Sequence, residues 1–212
     1  MNYRIDGDNL PVLKVRLSAG EQIECEAGAM SWMDDEIEMQ TKAGGLGRMF
    51  GRRREGEIAF SSKFPGSIRA VEITPGKGII VQKGSYLAHY GNVGSEVYIQ
   101  QKLGRGLFGG EGFLMRKFTG NGIVFLEIDG SAHEYEIPAG DCKIVDTGYV
   151  AAMSESCRME VKTIKGVGNV LFGGEGLFNT VVYGPGTVIL QSMPIASTAM
   201  QLYQYMPHPS NN

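Results

Sequence analysis

The chain has little with which to do the commonest enzyme chemistry. Its 212 residues include three histidines, three cysteines and one tryptophan. None of His89, His133 and His208 stands in a recognisable arrangement with a serine or cysteine, and neither G-x-S-x-G nor H-E-x-x-H occurs. A nucleophile elbow and a helical zinc site of the protease type are therefore excluded. Cys25, Cys142 and Cys157 are odd in number and contain no C-x-x-C, which excludes a zinc knuckle and a thioredoxin-like pair. They read as small buried thiols of a reducing compartment. No apolar run approaches the roughly 20 residues that span a bilayer. Residues 1–8 lack the apolar centre of a signal peptide, and there is no N-x-S/T sequon. The expected location is cytoplasmic. Twenty basic against 23 acidic residues give a net charge of −3 and a pI near 5.7, which disfavours nucleic acid as a partner but permits a local basic patch.

What the chain has in excess is glycine, 31 of its 212 residues, about twice ordinary usage. The glycines keep no three-residue period, so collagen is excluded. With 42% hydrophobic residues there is material for a core. So much glycine in a foldable chain means many tight turns between short strands.

The glycines are not scattered. Leu107-Phe108-Gly109-Gly110-Glu111-Gly112 returns as Leu171-Phe172-Gly173-Gly174-Glu175-Gly176, 64 residues on. Pro75-Gly76-Lys77 and Ala139-Gly140-Asp141 keep that offset, as do Gly84-Ser85 and Gly148-Tyr149. A more worn copy lies 56 residues nearer the N-terminus, with Ala19-Gly20-Glu21, Gly28-Ala29 and Glu55-Gly56. Period-2 stretches such as Val97 to Gln101 and Met159 to Ile164 read as half-buried strands. The expectation is an all-β domain of three sequential repeats, at about 12–67, 68–131 and 132–191. None could bury its own apolar face alone, so the three pack together.

One segment departs from this pattern. Ile195, Ala199, Leu202 and Met206 share one face of a helix expected over about 193–206, with Ser192 as N-cap and Pro207 as stop. Such a helix either lies over a sheet edge or docks a partner.

The chemical motifs are few. Gly104-Arg105-Gly106-Leu107-Phe108-Gly109 matches G-x-G-x-x-G, but further glycines follow where a dinucleotide fold needs a helix. Glu55, Glu111 and Glu175 sit at equivalent positions and would form a hard-cation site if they converged; hydrogen bonding within their own glycine turns is the simpler reading. Phe50 with Arg52, Arg53 and Arg54, and the pairs Leu107-Phe108 and Leu171-Phe172, read as apolar loop tips that must dock on another repeat, another subunit or a membrane surface. The arginines would add an anion-seeking element.

Gly28-Ala29-Met30, the paired Gly44-Gly45, the two Phe-Gly-Gly-Glu-Gly loops, Val145-Asp146-Thr147-Gly148-Tyr149-Val150 and Gly184-Pro185-Gly186 through Gln191 together resemble the altered-inheritance-of-mitochondria 24 family, from about Leu13 to Met206. The resemblance implies a compact β-sandwich or short β-helix like that of the tryptophan RNA-binding attenuation protein, present in several copies. It supplies no catalytic residues, and fold likeness alone does not carry RNA binding across.

These observations lead to a non-enzymatic scaffold or interaction protein that assembles with itself, for instance as a trimer, and requires no cofactor. The alternatives are a peripheral adaptor that binds anionic lipid through the basic-apolar loop, and a small-ligand or metal-binding enzyme built round the repeated glutamates.

Overall fold

The computed structural model describes residues 1–41, 47–52, 55–101, 112–163, 178–203 and 205–206. In chain order the strands are β1 (Asn2–Asp6), β2 (Val12–Leu17), β3 (Gln22–Glu26), β4 (Met30–Met33), β5 (Ile37–Thr41), β6 (Gly47–Arg52), β7 (Gly56–Ser61), β8 (Gly66–Ile73) and β9 (Ile79–Gln82). They continue as β10 (Tyr86–Gln101), β11 (Phe113–Asp129), β12 (Ala132–Ile137), β13 (Cys142–Asp146), β14 (Val150–Ser154), β15 (Arg158–Thr163), β16 (Phe178–Tyr183) and β17 (Gly186–Gln191), followed by helix α1 (Ile195–Tyr203). The fold is all-β with one C-terminal helix. Within β2 the period is 2: Leu13, Val15 and Leu17 are buried while Lys14 and Arg16 are not.

Three stretches are built alike. Each begins with a turn in which glycine is the third residue: Glu21 N–H donates to Ser18 O at 3.1 Å, Lys77 N–H to Thr74 O at 2.9 Å, and Asp141 N–H to Pro138 O at 3.2 Å. Gly20, Gly76 and Gly140 have φ of 81°, 77° and 90°, the left-handed region that only glycine enters without strain. Each then has a register shift that leaves one residue unopposed, namely Ser31 in β4, Leu87 in β10 and Ala151 in β14. Such bulges bend the strand and raise its twist.

Strand register corrects one equivalence drawn from the sequence. Leu17 faces Gly56, Ile73 faces Gly122, and Ile137 faces Gly186. Gly56 therefore corresponds to Gly122 and Gly186, not to Gly112 and Gly176. The chain from Trp32 to its partner Ala59 is ten residues shorter than from Ala88 to Phe125. A constant offset of 56 cannot hold through that shorter hairpin.

The strands lie in a four-stranded sheet (β1-β2-β7-β4), a three-stranded sheet (β13-β16-β15) and a ten-stranded sheet (β12-β17-β14-β9-β11-β10-β3-β6-β5, with β8 beside β11). Two short junctions make the largest sheet continuous. At the first, β3 meets β10 with Cys25, Glu24 and Ile23 opposite Ala88, His89 and Tyr90. At the second, β9 meets β14 with Val81, Ile80 and Ile79 opposite Ala152, Met153 and Ser154. The register is the same at both. Among the described residues the core falls into three apolar clusters, which include Phe60, Met153 and Leu126 respectively.

Helix α1 is shorter than the periodicity predicts, and its cap is different. Ser192 Oγ accepts from Ser131 N–H at 2.8 Å, while the N–H of Ile195 donates to Asp129 Oδ2 at 3.0 Å. The carboxylate at the end of β11 thus does the work expected of Ser192. The helix also turns the unexpected way: Ala196, Ser197 and Met200 are half-buried, whereas Ile195, Ala199, Leu202 and Tyr203 are exposed.

Candidate functional site: two open strand edges

The two junctions define what an inner edge of this fold looks like. Ile80 stands four residues after Gly76, on the strand that meets β14, and is 0% exposed. Ile144 stands four residues after Gly140, at the same place in β13, and is 66% exposed. The difference is the neighbour. Among the described residues β13 pairs with β16 only, so its second edge is open. Among the described residues β4, too, pairs with β7 only, although β10 and β14, which hold the same place, each have a second partner. On β4 the single tryptophan, Trp32, is 48% exposed, where the corresponding Ala88 and Ala152 are buried. Open edges flanked by large apolar side chains are templates for strand addition.

Charge differs along these edges. Beyond Met33 on β4 comes Asp34, whose carboxylate accepts from Glu57 N–H at 2.8 Å. On β13, Lys143 lies over the Tyr135 ring at 4.1 Å. Cys142 starts β13 and is exposed, which corrects the expectation of three buried thiols; Cys25 and Cys157 are buried. Burial pushes the Cys25 thiol up to about 12, so it stays a neutral, apolar group in the core.

The first inner junction contains a polar cluster instead of the Ile80–Met153 pair. His89 Nδ1 and the Tyr86 hydroxyl are 2.8 Å apart, and His89 Nε2 lies 3.6 Å from Glu24 Oε2. Burial, helped by Glu24, pushes the Tyr86 hydroxyl well above the usual phenol range. Arg116 covers the Tyr86 ring at 5.1 Å and approaches Glu26 Oε2 at 3.6 Å. Beside this cluster a cleft of about 490 Å³ runs under the start of α1, lined by Lys63, Lys83, Tyr86, Asp129 and Gln191 among others. Gln191 holds it together by accepting from Asp129 N–H at 3.2 Å and donating to Gly148 O at 3.1 Å.

Of the loop residues expected to carry function, Phe50, Arg52 and Glu55 fall among the described residues. Phe50 lies within β6, is 0% exposed and packs edge to face on Phe60 at 6.5 Å. It is a core residue of its own chain, not an exposed loop tip. Arg52 ends β6; Arg53, Arg54, Leu107, Phe108, Leu171 and Phe172 lie outside the described residues. Glu55 is exposed and pairs with Arg16 at 2.7 Å, while Glu111 and Glu175 lie outside the described residues. Among the described residues no group of three His, Cys, Asp or Glu side chains is placed to hold a metal. No helix among them is long and apolar enough to cross a membrane.

The sequence model of the mitochondrial biogenesis AIM24 family matches residues 3–193, nearly the whole chain. The chain belongs to this AIM24 family. An uncharacterized protein of Streptococcus pyogenes serotype M6 is 26% identical over 235 residues, covering 100% of this chain and 93% of the relative. Among solved structures, the crystal structure of protein SPYM3_0169 from Streptococcus pyogenes superposes with a TM-score of 0.81 at 20% identity, covering 97% of this chain and 99% of that one. At that identity the likeness establishes a shared fold and nothing about activity.

In this AIM24 chain the residues that sequence reasoning missed are Trp32, Ile144 and the Tyr86–His89–Glu24 cluster. A signal for the first two was available in the repeated spacing. Ile80 and Ile144 are the same residue at the same place, so only the count of neighbouring stretches separates an inner strand from an end strand.

Proposed function

We propose that this chain is the building block of a non-enzymatic, homo-oligomeric scaffold, in which three repeats within a copy continue head to tail into the next copy. The open edge of β13 takes the open edge of β4 from a neighbour, as β9 takes β14 inside one chain. The observation that carries this reading is the contrast between Ile80, sealed at an inner junction, and Ile144, bare at the corresponding place. Extending the inner register sets Val145, Ile144, Lys143 and Cys142 opposite Trp32, Met33, Asp34 and Asp35 of the next copy. That pairing covers two exposed apolar side chains and opposes Lys143 to Asp34, an arrangement that favours cross-strand association. The two edges differ, so the contact is heterologous and closes into a ring when its rotation allows. A ring-forming fold is also what the resemblance to the attenuation protein implies.

The experiment is disulfide trapping in the full chain. Asp35→Cys creates a thiol opposite the native Cys142 across the junction. Mild oxidation is expected to give a ladder of covalent oligomers on a non-reducing gel, absent when Cys142 is also replaced by serine. Ile144→Glu is expected to reduce the mass measured by light scattering, with a red shift of Trp32 emission. A monomeric mass for the unmodified chain at micromolar concentration would overturn the reading.

A further inference from the structure

Corresponding positions of the three stretches meet in the cleft beneath α1. Six residues after Gly20 and Gly76 stand Glu26 and Gln82, and eight after Gly76 and Gly140 stand Gly84 and Gly148. Seven after Gly56 and Gly122 stand Lys63 and Asp129. All of these residues line the one cleft of about 490 Å³. A buried hydrogen bond is also repeated in its wall. Gln191 Oε1 accepts from Asp129 N–H at 3.2 Å, and Glu127 Oε1, at the corresponding place, accepts from Lys63 N–H. Gln191 and Glu127 are each 4% exposed.

Two of these positions are glycine for no reason that the fold supplies. Gly84 and Gly148 both lack the positive φ that sets Gly76 and Gly140 apart. A Cβ at Gly84 would meet nothing within 4 Å, and one at Gly148 would find its nearest neighbour, Pro194 Cβ, at an ordinary 3.8 Å. Neither backbone strain nor a close approach of another strand requires glycine there. Gly84 borders the cleft, so a side chain at that position would take up room in it. Glycine beside a cavity is what permits a ligand to approach the backbone closely.

The side chains of the cleft decide the class of that ligand. Leu114, Pro194 and Ile195 supply an apolar wall. Gln82 Oε1 is taken by Gln191 Nε2 at 3.3 Å, while the amide hydrogens of Gln82 itself have no acceptor among the described residues. The Lys63 ammonium has none among them either. The carboxylates are already engaged: Asp129 Oδ2 takes the Ile195 N–H, and Glu26 Oε2 lies 3.6 Å from Arg116. Donors therefore exceed acceptors, which suits a carboxylate, and the wall suits an apolar body. We propose that this cleft binds one small organic carboxylate, its acid group on Lys63 and Gln82 and its apolar body against Leu114, Pro194 and Ile195. The site lies wholly within one copy, so it does not depend on the scaffold reading.

The test is isothermal titration calorimetry of the full chain with octanoate, and with octylammonium as the same body bearing the opposite charge. Octanoate is expected to bind once per chain and octylammonium not at all. Lys63→Met is expected to weaken octanoate about tenfold or more, the scale of a lost charge-assisted hydrogen bond. Asp129→Asn removes a negative charge from the lining and is expected to tighten it. Gly84→Phe is expected to abolish binding while the thermal midpoint stays unchanged, because its side chain enters open space. Lys63 is exposed, so Lys63→Met gives a folded protein whatever becomes of Gly84→Phe. Absence of binding by octanoate at millimolar concentration overturns the proposal. So does octylammonium binding as tightly as octanoate, and so does undiminished octanoate binding by Lys63→Met or by folded Gly84→Phe.

Discussion

The Asp129 carboxylate, at the end of β11, accepts a 3.0 Å hydrogen bond from the backbone N–H of Ile195, the first residue of α1. The cap is half-buried, and desolvation pushes Asp129 up to about 6, although the Ile195 N–H and Lys63 favour the ionised form. Its unfolded value is 3.8, so between about pH 4 and 6 the folded chain binds the extra proton. This group therefore adds stability as pH falls from 7 to 5. Asp129→Asn keeps an acceptor and removes the ionisation. The measurement is the thermal midpoint at pH 7 and pH 5: relative to Asp129→Asn, the unmodified chain should gain on acidification. An equal change in both would show that Asp129 is ionised throughout.

Glu21 behaves in the opposite sense. The Met1 ammonium is its strongest partner, the Tyr90 hydroxyl donates to it at 2.6 Å and Ser18 N–H at 2.8 Å; together they hold its carboxyl at about 2. A depressed folded value means stability that is present above pH 4.5 and lost as pH falls through 2. Glu21→Gln is expected to lower stability at pH 7 by about 1–2 kcal/mol, the scale of a charge-assisted hydrogen bond. Denaturant unfolding should show that difference shrinking towards pH 2.

Replacing Phe50 separates a core side chain from a membrane anchor. It is fully buried against Phe60, and Phe50→Ala is expected to cost about 3–5 kcal/mol, the range for a buried Phe reduced to Ala. Chemical denaturation measures this directly. A loss below about 1 kcal/mol would place the ring in solvent.

Two glycines should respond very differently to alanine. At Gly76 a Cβ meets nothing within 4 Å, so Gly76→Ala costs only the positive φ of 77°, on the order of 1 kcal/mol. At Gly122 a Cβ would lie 2.1 Å from Tyr90 O across the β10–β11 ladder, so backbone must move. Gly122→Ala is expected to lower the thermal midpoint several times as far, and equal midpoints would contradict the close approach.

The parts of the fold legible in the sequence are those where one residue type is forced. Gly20, Gly76 and Gly140 can be found by spacing because their turns need a left-handed residue. Phe50 was misread because Gly47 and Gly51 beside it resemble loop glycines. They are strand glycines: a Cβ at Gly51 would meet Gln22 Cγ at 3.0 Å, and one at Gly47 would meet Cys25 O at 3.2 Å. Glycine there permits β3 and β6 to approach closely. The helix was legible in its period, but its cap was not, because the side chain that supplies it, Asp129, lies 66 residues earlier. The open edges are legible only from the order of the three stretches, not from any one strand. Cys142-Lys143-Ile144-Val145 is as good a strand as Ile79-Ile80-Val81-Gln82, and nothing in either run tells how many strands stand beside it.

The recurrence of one register at β3–β10 and at β9–β14 has a geometric consequence. Each junction is a fixed rotation from one unit to the next, and covalent continuity enforces it twice within a single chain. In the assembly proposed above, the edges of β4 and β13 would repeat that rotation or strain against it. The curvature of the assembly proposed above would thus be set inside one polypeptide before a second copy arrives.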